Sequence, residues 1–271
     1  MTSQVPEALR NVKALTFDVF GTVVDHRTTV CQELIKRARE KIESPAYSSL
    51  PEQSQTRLEA MTEDDWAKFG QEWRYSYYVF TRSFVPGESE WKDIDTHHYD
   101  ALHVLLRNWG LTGIYAEDEV RLLSRVWHNL KPWDDSAAGI QLLGTRLVTS
   151  TLSNGNHEIL QDLNAYGDLG FREIISTADF GAYKPHPSTY LGAAEALGLR
   201  PEEVAMVAAH LGDLAAARSN GLRTIYVERP QEEAWGSDDP RYKEACGWVD
   251  IWVAEGEGGF LEVARRLGIS E

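Results

Sequence analysis

What this 271-residue sequence lacks narrows it first. It holds two cysteines, Cys31 and Cys246, far apart and in no disulfide or metal-binding pattern. No apolar run approaches the ~20 residues that a membrane-spanning helix needs, so no membrane partner is expected. The opening MTSQVPEALRN has neither the basic start nor the apolar stretch of a secretory signal. The expectation from these absences is a cytoplasmic chain. Basic residues are scarce: 27 Lys and Arg against 42 Asp and Glu leave a formal net charge of -15. Such a surface repels phosphate backbones, which argues against a nucleic-acid partner. A small anionic substrate would need its own local cations, so any Lys or Arg near a pocket is informative. There is no internal repeat and no low-complexity tract.

What is present is an ordinary globular mixture, 42% hydrophobic and 25% charged, rather than that of a disordered chain. The length suits one α/β domain carrying an inserted subdomain. Residues 14–17 read as a short apolar strand that ends at Asp18, followed by a turn through Val19, Phe20, Gly21 and Thr22. From about Thr28 to Leu130 the pattern is helical, with Trp66, Phe69, Trp73, Tyr77 and Phe80 at helical spacing. Residues 45–51 and 86–88 read as its loops. From Pro132 onward, strand-like runs at 146–152, 173–176, 204–207, 224–227 and 250–253 alternate with helices from about His157, Pro187, Leu214 and Gly259. That alternation predicts a doubly wound parallel sheet with helices on both faces. The helical block interrupts it after the first strand. The expected division is a core of residues 1–25 and 131–271, with a helical cap domain at 26–130.

Ligands of open parallel sheets bind at the carboxyl ends of the strands. Four polar clusters fall at such ends: Asp18 to Thr22, Ser153-Asn154-Gly155, Lys184-Pro185, and His210 to Asp213. Taken singly, each has a plain structural reading as a cap, a turn or a loop. Together, in this order on one sheet edge, they are hard to explain as packing.

FDVFGTVVD (17–25), LSNG (152–155), YKPHPSTY (183–190) and AAHLGDLAAARSNGLRTIYV (208–227) resemble the four motifs of the haloacid dehalogenase superfamily, and most closely its L-2-haloacid dehalogenase branch. The resemblance covers essentially 1–25 and 131–271; the helical block matches mainly in length, helical character and EWRYSYY (72–78). It implies a Rossmann-like core with an inserted helical cap and an aspartate nucleophile. Superfamily phosphatases carry a second Asp two positions after the nucleophile, to protonate an alkoxide. Here that position is Phe20. They also place an acid four or five residues before the last motif's Asp, to hold Mg²⁺. Here those positions are Ala209 and Ala208. A halide leaves without a proton, so carbon–halogen cleavage with no metal and no cofactor is the expected chemistry.

By resemblance, Asp18 attacks the halogen-bearing carbon, and Thr22 and Lys184 hold and charge-balance it. Gly21 permits the turn that aims it. Ser153 with the amides of Val19 and Phe20 binds the substrate carboxylate. Arg74 and Asn154 accept the halide, with Arg82 as a rival to Arg74, and Tyr190 lines the pocket. Asp213 activates or orients the water that hydrolyses the ester. Branch members usually carry Ser and Asn where this chain has Ala208 and His210. His210 is therefore either a base or a structural partner of Asp213. Gly212 stands where the branch often has an aromatic, which suggests a larger or differently shaped substrate space. The cap aromatics, Trp91 included, read as core, and His97, His98 and His103 as non-metal helix residues. An Mg²⁺-dependent phosphatase and a noncatalytic binding protein are the alternatives. The branch often forms dimers, so a homodimer stays open.

Overall fold

Strands that are apolar on both faces must be covered on both faces, and this chain builds its sheet from such strands. The structure, a computed structural model, describes residues 5–270. The first four residues of the segment read for a targeting signal lie outside them. Among the described residues seven strands form: β1 (Ala14–Phe17), β2 (Val24–Asp25), β3 (Lys131–Pro132), β4 (Val148–Thr151), β5 (Val204–Ala208), β6 (Arg223–Val227) and β7 (Ile251–Val253). Five of them make a sheet in the order β4-β1-β5-β6-β7, and every pairing in it is parallel. β2 and β3 pair separately and antiparallel. Every residue of β1 and β5 is buried.

The helices are α1 (His26–Glu43), α2 (Glu52–Ala60), α3 (Glu63–Ser83), α4 (Ile94–Asn108), α5 (Glu117–Ser124), α6 (Ser136–Gly144), α7 (His157–Tyr166), α8 (Pro187–Ala196), α9 (Leu211–Ser219), α10 (Pro240–Trp248) and α11 (Gly259–Arg266). The chain divides into two compact units. One comprises the segments that end at Asp25 and begin at Lys131, and it holds the whole sheet. The other, His26–Leu130, is helical. The α/β class expected from the alternating pattern is the architecture observed. Among the described residues no helix is long and apolar enough to cross a membrane.

The helical unit packs along the stripe its sequence spells. In α3, Trp66, Phe69, Trp73, Tyr77 and Thr81 are buried at helical spacing. Thr62 and Asp65 close a capping box at its start. Trp73 donates its indole N–H to the His98 carbonyl at 3.0 Å, and the His98 ring stacks on Trp127 at 4.2 Å. Burial holds His98 neutral, well below the usual histidine range. His97 stacks on Phe80 at 4.4 Å, and burial lowers it to about 4. These two histidines serve packing. Trp91, expected in this core, is instead 39% exposed.

In the sheet-bearing unit the sequence reading needs two corrections. The strand expected from 146 begins at Val148, because the amides of Arg146 and Leu147 turn back to the Leu143 carbonyl at the end of α6. The strand expected at 173–176 is reduced to isolated bridges, Ser150 with Glu173 and Ser153 with Ser176. The reason is a side chain. Thr151 Oγ1 donates to the Ile175 carbonyl and accepts the Ile175 amide, both at 2.9 Å, satisfying the groups that a ladder would use.

One buried ion pair ties several of these elements together. Arg229, just past β6, forks onto Asp135 with contacts of 2.6 and 2.8 Å and donates from Nε to the Thr22 carbonyl at 3.0 Å. Asp135 also accepts the Phe260 amide at 2.7 Å, at the start of α11. The guanidinium lies over the Phe260 ring at 4.8 Å. Removing one partner strands the other charge in a buried site, which costs about 3–5 kcal/mol. Arg229→Met is expected to lower the urea midpoint by an amount corresponding to that loss. A midpoint equal to wild type would show that the pair does not hold these elements.

Candidate active site

The sheet reverses its winding direction beside β1. From β1 the chain goes to β4 on one side and then returns to β5 on the other, which opens a crevice at the carboxyl ends of β1 and β5. Asp18 follows β1 directly, and its amide is pinned to the Val207 carbonyl of β5 at 3.0 Å. The turn after it closes on itself: the Val23 and Val24 amides return to the Val19 carbonyl, and the Gly21 amide to the Val24 carbonyl. Gly21 sits at φ +90°, a conformation that glycine adopts without steric cost.

Asp18 is 9% exposed, and its carboxylate receives donors on both oxygens. Oδ1 accepts from Lys184 Nζ at 2.9 Å. Oδ2 accepts from Thr22 Oγ1 at 2.7 Å and lies 3.0 Å from His210 Nδ1. The Thr22 hydroxyl is itself an acceptor for the Ala209 amide at 2.9 Å, so its proton is committed to Asp18. The other ring nitrogen of His210, Nε2, lies 3.2 Å from Glu232 Oε2. With a carboxylate at each ring nitrogen, His210 is held as the imidazolium. Burial opposes its charge, but the bonds to Asp18 and Glu232 prevail and it is pushed up to about 10. Burial likewise opposes ionisation of Asp18, yet the Lys184 charge and His210 hold the carboxyl well below the usual range. His210 thus faces Asp18 and Glu232, where the sequence reading had offered Asp213 as its structural partner.

Lys184 continues the network. Its Nζ donates to Asp213 Oδ2 at 2.6 Å as well as to Asp18. Burial disfavours the ammonium, but the two carboxylates it bridges raise it above the ordinary lysine value. Asp213 lies in the first turn of α9. Its other oxygen accepts from the Tyr190 hydroxyl at 2.6 Å. Tyr190 was expected to line the pocket. Its side chain is instead fully buried on α8, with its hydroxyl turned to Asp213.

Ser153 and Asn154 follow β4. Asn154 Oδ1 accepts the Lys184 amide at 2.8 Å and the Thr177 hydroxyl at 3.2 Å. Ser153 Oγ accepts the Gly155 amide at 3.3 Å. The side chains of Val19 and Phe20 are buried. The Phe20 ring packs so close to Gly155 that a Cβ there would sit 3.1 Å from it. Ala208 and Ala209 are fully buried and carry no donor beyond the backbone. Arg74 and Arg82 belong to the helical unit. Arg74 is half-buried over the Tyr77 ring at 4.3 Å, whereas Arg82 is exposed beside Tyr78.

Sequence reasoning missed the segment after β6. Besides Arg229 it supplies Glu232 to His210 and Glu233 to the Leu211 amide at 2.6 Å. It also supplies Trp235, whose ring edge would lie 3.8 Å from a Cβ on Gly212. The space vacated by Gly212 is therefore bordered by an aromatic from another loop. A Cβ on Gly21 would collide with the Glu232 carboxylate, so the turn glycine also makes room for that acid.

The chain is similar to known proteins. The family model of haloacid dehalogenase-like hydrolases matches residues 12–221. A solved defluorinating L-2-haloacid dehalogenase superposes with a TM-score of 0.78 at 31% identity, over 98% of this chain and 99% of its own. (S)-2-haloacid dehalogenase 1 of Pseudomonas sp. (strain CBS-3) is 28% identical over 82% of this chain and 88% of its own length. Enolase-phosphatase E1 of Parvibaculum lavamentivorans is 34% identical, but over 45% of this chain and 46% of its own.

The raised His210 has a thermodynamic signature. A group whose folded value lies above its unfolded one stabilises fully below the unfolded value, roughly 6.5 for histidine. That contribution is lost as pH rises through about 10. Wild type is expected to lose stability relative to His210→Gln between those limits, read as urea midpoints at pH 6, 8 and 9.5. A constant difference across the series would refute the doubly bonded imidazolium.

Proposed function

Since the chain belongs to the haloacid dehalogenase-like hydrolases, we propose that it hydrolyses the carbon–halogen bond of short 2-haloalkanoic acids, yielding 2-hydroxy acids through an ester on Asp18. The observation that carries this reading is an ionised, buried carboxylate whose neighbour two positions on is Phe20. Such a site has a nucleophile, but an apolar ring stands at the position from which a phosphatase's second Asp would protonate its leaving group, and a halide needs no proton.

In this reading Oδ1 of Asp18 attacks C2 of the substrate from the side opposite the halogen. The new C–O bond forms as the carbon–halogen pair departs with the halide, and C2 inverts. Ser153 and the backbone amides of Val19 and Phe20 receive the substrate carboxylate. Asn154, whose carbonyl oxygen is already engaged by Lys184 and Thr177, turns its amide nitrogen to the halide. Water then attacks Cγ of the Asp18 ester and gives a proton to Asp213, which Lys184 and Tyr190 hold in place. The Cγ–Oδ1 bond breaks, and Lys184 protonates the leaving 2-hydroxy acid oxygen. Asp213 returns its proton to Lys184, the second water proton passes from the new Asp18 hydroxyl to solvent, and Asp18 is regenerated as a carboxylate with one oxygen from water.

The likeness to an enolase-phosphatase raises a second reading, a Mg²⁺-dependent phosphatase. The donor set does not fit that ion. Lys184 already bridges Asp18 and Asp213, and the positions that would add an acid are Ala208 and Ala209.

Without added metal, incubation with (S)-2-chloropropionate is expected to release chloride and, on rapid quenching, to show the ester by intact mass. Asp18→Asn is expected to show neither. Hydrolysis of an aryl phosphate that requires Mg²⁺, with no halide release, would overturn the assignment.

A further inference from the structure

The two half-reactions make opposite demands on the group beside Asp18 Oδ2. In the first, Asp18 is an anion and helps to keep His210 protonated. In the second, Asp18 is a neutral ester, and the charge that held the imidazolium from one side is gone. Water attack then pushes the carbonyl π pair onto the oxygen that is not bonded to substrate. Lys184 approaches Oδ1, the proposed attacking oxygen, so that oxyanion forms on Oδ2. Oδ2 is the oxygen facing Thr22 and His210. A donor there is useful only if it keeps its proton when Asp18 no longer pulls on it.

Glu232 meets that requirement. It reaches His210 Nε2 from the segment after β6 at 3.2 Å, and its side chain is only 3% exposed. Ester formation does not touch its charge. Its placement is built in: the glycine at 21 leaves the room its carboxylate occupies, and Glu233 anchors the same segment on the Leu211 amide.

We propose that Glu232 is a positioning residue for ester hydrolysis, holding His210 as a charged donor on Asp18 Oδ2 once esterification has discharged Asp18, so that His210 and Thr22 together stabilise the oxyanion. This rests on the dehalogenase reading above. The charged groups around His210 are Asp18 with Lys184 and Asp213 behind it, Glu232 and Glu233 from the segment after β6, and Arg229 from the same segment. Of the carboxylates among them, Asp18 and Glu232 contact the ring, and only Glu232 keeps its charge through the intermediate. The balance closes without another reagent: one water proton passes to Asp213 as before, the other leaves to solvent as Asp18 ionises again, and His210 keeps its own throughout.

The test separates the two half-reactions. With (S)-2-chloropropionate under single turnover, the rates of ester appearance and decay are followed by quenched intact mass for wild type, Glu232→Gln and Glu232→Asp. At pH 8.5 the ratio of decay to formation is expected to fall on the order of tenfold in Glu232→Gln, part of the loss expected for a weakened oxyanion donor. It is expected to recover towards pH 6, where an ordinary imidazole takes up its proton, and Glu232→Asp is expected to restore much of it. A ratio equal to wild type at every pH, while ester still forms, would overturn this role and leave the dehalogenase reading intact. Absence of any ester in wild type would overturn the reading itself.

A second measurement does not depend on how Glu232→Gln folds. In Asp18→Asn the charge at position 18 is absent, as in the ester. NMR of the His210 ring is expected to show it still protonated at pH 8. Titration near 6.5 in that variant would overturn the proposal.

Discussion

Keeping one carboxylate ionised inside a parallel sheet edge is the constraint around which this site is organised. Asp18 follows a strand buried on both faces, where burial alone would drive its proton on. The fold opposes that with two cations and a hydroxyl. Each of the three is fixed by a partner of its own: Lys184 by Asp213, His210 by Glu232, and Thr22 by the Ala209 amide. The hydroxyl and the ammonium have no freedom to turn away, because turning away would break a second bond in the same low-dielectric space. For the proposed attack, this means that the lone pairs of Asp18 are oriented before substrate arrives.

Those partners come from separate strand ends, so the site depends on the sheet keeping its register. Asp18 is bonded to β5 through its amide, Lys184 is held near Asn154 after β4, and Glu232 arrives from the end of β6. Arg229 binds the turn after Asp18 to Asp135 and thereby to the start of α11. A shift of β6 relative to β1 would withdraw Glu232 and Arg229 together. That gives a physical reason for an ion pair this deep: it fixes a register that hydrophobic packing alone, being non-directional, specifies less tightly.

Much of this was legible in the residues. The alternation of apolar runs and helical stretches gave the parallel sheet, and the polar clusters at strand ends gave Asp18, Thr22, Lys184, Asn154 and Asp213, which the structure brings into one network. What was not legible depends on side chains acting in place of backbone, or on which face a residue presents. No periodicity rule shows that Thr151 satisfies Ile175 and so dissolves a strand. Helical spacing around Pro187 does not reveal that the Tyr190 ring is entirely buried with its hydroxyl on Asp213. Glu232 was missed because an acid in a loop of an acidic protein has no local mark; its meaning lies in a histidine 22 positions earlier.

That histidine shows how a substitution changes what its neighbours must do. A neutral amide beside Asp18 could donate a hydrogen bond at any pH without support, because it has no proton to lose. An imidazole donates as strongly as a charged group only while something keeps it charged. In the proposed ester intermediate the anion next to it disappears, so a second anion has to stand on its far side. That anion in turn needs space, which only a residue without a side chain at position 21 leaves open, in a turn whose φ of +90° already favours glycine. His210, Glu232 and Gly21 therefore form a dependent set: the histidine requires the acid, and the acid requires the glycine.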